Sequence, residues 1–153
     1  MKIIVFLFCS AFLTLSCKND DDNSHFQPTE ITFTEIAKGE LSGNGQEGIS
    51  QSNLVLNNQT SWQNLMTQMD SYSNVSDMFS ETSIDFDNYT VIAIFDTIRP
   101  HSGYSIQVDS VFEELDQITI NYSEQSLSSG FAVIIQPFHI VKIPITSKPI
   151  VFQ

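Results

Sequence analysis

The chain has 153 residues, six basic against 18 acidic side chains, and two cysteines. That length suits one domain with a tail. A formal charge of −12 excludes nucleic-acid binding and docking on anionic lipid through a basic patch, since both need clustered Lys and Arg. At 41% hydrophobic and 16% charged residues the composition is globular, which excludes collagen-like, coiled-coil and disulfide-framework classes.

Met1 and Lys2 make a short positive start, and residues 3–15 are almost wholly apolar. The run is shorter than the ~20 residues that cross a bilayer core and has the size of a signal-peptide apolar region. Leu13-Thr14-Leu15-Ser16-Cys17 resembles a bacterial lipobox, in which Cys17 is lipidated and becomes the mature N-terminus. An ordinary secretory signal cut elsewhere is the alternative. Cys9 lies in the removed segment, so the mature chain holds no free thiol. Disulfides, thiolate metal sites and a cysteine nucleophile are excluded together.

Residues 1–16 are thus predicted to be a lipoprotein signal and 17–28 an acidic tether. Asp20, Asp21 and Asp22 repel one another and cannot be buried together. With Lys18 they look like the export signal that sends some lipoproteins to the outer face of the outer membrane. A plain charged linker is the other reading, with the periplasmic leaflet as the other placement.

Residues 29–153 are predicted to form the folded domain. Residues 31–37 read as a first strand with Ile31, Phe33 and Ile36 inward. Residues 38–51 contain Gly39, Gly43, Gly45 and Gly48 and read as a flexible loop. No Lys-Ser/Thr pair follows them, so they make no phosphate-binding loop. Residues 52–56 are a short strand. Thr60-Ser61-Trp62-Gln63 then fits a capping box. Trp62, Leu65, Met66 and Met69 follow at helical spacing, which makes Trp62 a core residue rather than a ligand platform. The polar segment after this helix offers Val75, Met78 and Phe79 as packing points in a helical turn.

Thr90-Val91-Ile92-Ala93-Ile94-Phe95 is continuously apolar, as in a strand covered on both faces. Tyr104, Ile106 and Val108 alternate with polar residues, and the parity breaks at 110–112, which predicts a bulge. Ile118, Ile120 and Tyr122 mark the next strand, residues 123–130 a serine-rich loop, and 131–135 another apolar strand. Gln136-Pro137 interrupts, with Pro137 at an edge, bulge or strand start. A strand resumes over 138–143. Pro144 and Pro149 mark a fraying end. The reading is an α+β fold: a mostly antiparallel assembly of six to eight strands with one main helix packed on it.

Catalytic chemistry is thin. His25, His101 and His139 are the three histidines, with no paired-histidine metal spacing, and no metal or cofactor is predicted. His101 lies near Asp96, Arg99 and Ser102 and invites a His–Asp–Ser reading, which a chain so rich in serine makes cheap. His139, in an apolar strand, reads as a packed or edge residue satisfied by backbone. Asp85 and Asp87 suit turn amides, a bound cation or a carboxylate pair.

Three segments resemble one family, the C-terminal domain of the protease complex subunit PrcB and its lipoprotein relatives. The first is residues 84–93, carrying Asp85, Phe86 and Tyr89. The second is residues 102–108, carrying Gly103 and Tyr104. The third is residues 136–144, carrying Pro137, Phe138, Val141 and Pro144. They stand in the family's order and spacing over about sixty residues. Ser102 replaces the family's first glycine and Phe138 its tyrosine. Read from the residues, these positions are fold-making: Gly103 allows a tight turn, and Pro137 fixes a kink, a cis bond being one way to make it. The resemblance implies a non-enzymatic, lipid-anchored envelope protein that binds and stabilises an exported serine protease. A protease inhibitor or ligand-binding surface lipoprotein, presenting residues 38–51 or 123–130, is the alternative.

Overall fold

The computed structural model describes residues 26–127 and 130–153. Cys17, Lys18, Asp20, Asp21 and Asp22 lie outside the described residues. Among those described, eight strands and one α-helix form a mostly β, α+β fold. The elements in chain order are β1 (Thr29–Glu30), β2 (Thr34–Leu41), β3 (Ser52–Leu56), α1 (Gln59–Met69), a 3-10 turn (Val75–Met78), β4 (Tyr89–Phe95), β5 (Tyr104–Glu113), β6 (Ile118–Ser126), β7 (Gln136–Pro144) and β8 (Ile150–Phe152).

They build three layers. A central sheet of order β2-β7-β4-β3 has α1 on one face and an outer sheet of order β1-β5-β6-β8 on the other. All pairs are antiparallel except β6 with β8. This explains the continuous apolar run of β4. Val91, Ala93 and Phe95 point at the helix layer, while Ile92 and Ile94 point at the outer sheet. β7 divides in the same way, with Phe138 and Ile140 toward the helix and Val141 and Ile143 toward the outer sheet.

The helix stripe is as expected: Trp62, Leu65 and Met69 are buried. The Trp62 indole donates to the Thr82 carbonyl (2.9 Å) and its ring stacks on Phe79. The cap is different. Asn58, in extended conformation, accepts from the Ser61 amide (2.9 Å), so Thr60 already lies inside the first turn. Val75 is buried, whereas Met78 is exposed.

Strand boundaries shift for identifiable reasons. The first long strand runs Thr34–Leu41 rather than 31–37. A bulge between Glu35 and Ala37 buries Ile36 and Ala37 together and hides the alternation. The glycine-rich loop is correspondingly shorter and compact, with the buried Glu47 carboxylate accepting the Gly43 amide (2.8 Å). In the β5–β6 hairpin the bulge falls between Val108 and Ser110, just before its expected place. β6 continues to Ser126, through half of the expected serine loop.

Three expectations near the C-terminus are overturned. Residues 131–135 form no strand, because only Ile135 finds a buried partner layer. Gln136 and Pro137 begin β7 instead of interrupting it, and Pro137 is trans. Its missing N–H is tolerated at the strand start, while its carbonyl still accepts the Asp96 amide (2.9 Å). The end does not fray: β8 pairs with β6, and the Pro149 carbonyl accepts the Ile118 amide (2.8 Å).

Candidate functional site

Among the described residues, the most distinctive surface is an apolar crest formed by Leu127 and residues 131–134 at one end of the sandwich. Phe131 is 84% and Leu127 67% exposed, with Val133, Ile134 and the neighbouring-strand-end residue Ile98 also exposed. Apolar side chains gathered this way on a protein surface mark a contact site more often than scattered ones do.

The crest is held, not loose. Arg99 and Ile135 exchange both backbone hydrogen bonds (2.7 and 3.0 Å). The Ser102 amide donates to the Phe131 carbonyl (3.0 Å), the Phe131 amide to the Ser102 hydroxyl (2.9 Å), and the Leu127 amide to the Gly103 carbonyl (2.8 Å). Gly103 has φ +100°, a region open to glycine, and this turns the chain between those bonds.

Beneath the crest lies a charged clamp. Fully buried Asp96 takes two bonds from the Arg99 guanidinium (2.7 and 2.8 Å) and one from the Thr97 amide (2.6 Å). Arg99 also reaches Glu124 of β6 and lies 4.7 Å over the Tyr104 ring, which packs against His101. The Asp96 hydrogen bond raises the Arg99 pKa further above its ordinary value. Arg99 is therefore permanently charged and ties three chain segments together.

This clamp answers the His–Asp–Ser reading. Asp96 is bonded to Arg99, not His101. The His101 Nδ1 meets the Ser102 carbonyl (2.8 Å), and the Ser102 hydroxyl is engaged by Phe131. No proton relay joins the three. Among the described residues no group of three His, Cys, Asp or Glu is placed to hold a metal ion.

The motif residues divide between the two ends of the sandwich. At the end away from the crest, the Asp85 side chain accepts from the Asp87 amide (3.1 Å) and Asn88 Nδ2 (2.7 Å), and its carbonyl accepts the Tyr89 amide (2.9 Å). Phe86 packs on the helix-side core, and Tyr89 pairs with Pro144 under the Lys142 ammonium (4.5 Å). An open groove of about 450 Å³ runs past Asn58, Asp85 and Asp87, but both Asp85 oxygens are already engaged within the turn. Gly103, Tyr104 and Pro137 belong to the crest end. Phe138 is fully buried over Gly39 and Phe95, and Val141 lies between the sheets. These residues build the fold and frame the crest; none of them forms the crest's apolar surface.

His139 is the packed histidine expected. Burial lowers its pKa, against the opposing pull of its Glu35 hydrogen bond. The crest itself was missed, because an apolar run of five residues reads as a buried strand whether or not a layer covers it.

Compared with protein-family models, curated proteins and solved structures, the chain matches none.

Proposed function

We propose that this is a non-enzymatic, lipid-anchored cell-envelope protein whose domain binds another protein through the crest formed by Leu127 and residues 131–134. The observation that carries the reading is the exposure of Leu127 and Phe131 on a frame clamped by Asp96 and Arg99. A surface that only needed solubility would keep such side chains inside. Large apolar anchors on a preorganised support are what a protein interface uses.

The lipobox-like segment ending at Cys17 supports anchoring, and the acidic residues Asp20–22 support display on the outer face of the outer membrane. The resemblance of the Asp85, Gly103 and Pro137 segments to the PrcB C-terminal domain supports an exported serine protease as partner, which the protein would stabilise. The second reading, a protease inhibitor, draws on the same crest: an exposed Phe131 on a braced loop has the form of a recognition loop.

The test is co-purification from detergent-solubilised membranes, comparing the natural chain with L127S/F131S. A specific partner lost in the variant is the expected result; equal recovery of partners from both rejects the crest. Incubating a recovered protease with the protein separates the readings, since protection from autolysis indicates a stabiliser and stoichiometric loss of activity an inhibitor. C17A should move the protein from the membrane to the soluble fraction.

A further inference from the structure

The central sheet has two outer edges that differ in how they are protected. On β2, the edge is broken by the bulge at Ile36 and carries Glu35, Lys38 and Glu40. It is also covered in part by Ser80, whose amide and hydroxyl donate to the carbonyls of Ile36 (2.9 Å) and Glu35 (3.1 Å). Charge, bulges and covering segments are the usual means of keeping a strand edge from pairing with another chain. In the outer sheet, β1 and β8 are only two and three residues long.

β3 has none of these devices. It pairs with β4 in regular register over all five residues, without bulge or proline. Among the described residues no backbone hydrogen bond reaches Ser52–Leu56 from its other side. Alternate N–H and C=O groups of such a strand point outward along the edge. The strand also lies in the long uncharged stretch of the chain: residues 48–69 contain no Asp, Glu, Lys, Arg or His.

We propose that β3 is the seam of a homodimer, pairing antiparallel with the β3 of a second copy to join two four-stranded central sheets. The charge distribution selects this occupant. Two copies each carrying −12 repel through most contacts, and β3 with its continuation into α1 is where like charges do not meet. The strand is self-complementary about Leu54. Leu54 faces its own copy, Asn53 faces Val55, and Ser52 faces Leu56, so no like charges are opposed across the seam. Leu54 already packs against the helix-side core, which the pairing would extend across the seam. A five-residue seam alone is small beside the ~1,200 Å² or more of a stable interface. The dimer should therefore be concentration-dependent.

The experiment is sedimentation equilibrium of the purified full chain in detergent over a wide concentration range. A monomer–dimer equilibrium is expected, weakened at least tenfold by V55K at the exposed Val55, and not weakened by E40Q, which makes the same change in net charge on the protected edge. A wild-type chain that stays monomeric throughout overturns the proposal, as does a dimer that V55K leaves intact. Hydrogen exchange on the wild type covers the case in which V55K fails to fold. Amides of β3 should become protected as dimer forms, and exchange independent of concentration rejects the seam.

Discussion

His139 Nδ1 accepts the amide hydrogen of Val108 from the opposite sheet, at 2.7 Å. Since Nδ1 accepts, Nε2 carries the proton and donates to Glu35 (2.9 Å). The imidazole therefore joins the bulge of β2 to the bulge of β5, satisfying an amide that the irregular β5–β6 ladder frees. The neutral ring is the form that fits.

A pH dependence follows. Burial depresses the folded-state pKa of His139 below its ordinary 6.5, with Lys38 acting in the same sense and Glu35 and Asp109 opposing. The unfolded chain then binds the proton more readily, so this contribution is complete above pH 6.5 and is lost as pH falls through the folded-state value. Urea unfolding at a series of pH values should show this loss below pH 6.5. H139Q, which keeps an acceptor without titrating, should flatten that part of the profile. H139A should cost about 1–3 kcal/mol by leaving the Val108 amide unpaired.

The Asp96–Arg99 clamp should decide whether the crest is ordered. D96N removes the buried charge under Arg99. Because Arg99 reaches solvent, the expected loss is about 2–3 kcal/mol, below the range for a fully buried pair. Limited proteolysis should then cut near Phe131 faster than in the natural chain. An unchanged cleavage rate would mean that the backbone bonds of Arg99 with Ile135 suffice.

Two phenylalanines seven residues apart should behave oppositely. Phe131 is 84% exposed, so F131S should alter stability by no more than about 0.5 kcal/mol while weakening partner capture. Phe138 is fully buried between Phe95 and Gly39, so F138A should cost about 3–5 kcal/mol. Thermal unfolding of the two variants measures the contrast directly.

Gly103 adopts φ +100° where the chain turns beneath the crest. G103A should destabilise by about 1–3 kcal/mol through backbone strain. The comparison with S102A, which removes only the hydroxyl bonded to Phe131, separates strain from hydrogen bonding. Equal unfolding midpoints for G103A and the natural chain would reject the strain argument.

Much of the architecture is legible in the residues themselves. The unbroken apolar run of β4 announces a strand buried on both faces, and the Trp62–Met69 stripe announces a helix with one apolar side, because both patterns arise from local backbone period. Asp85 could be read as a turn former and His139 as a satisfied core residue on residue chemistry alone. Period reports which side chains share a face; it does not report whether another layer arrives to cover that face. That is why residues 131–134, apolar like a core strand, stand outside it, and why the three residues of β8 give no signal until β6 lies beside them. The bond from Asp96 to Arg99, the bridging of two bulges by His139, and the unequal protection of the β2 and β3 edges are decided by segments distant in the chain. Only the tertiary structure brings those segments together.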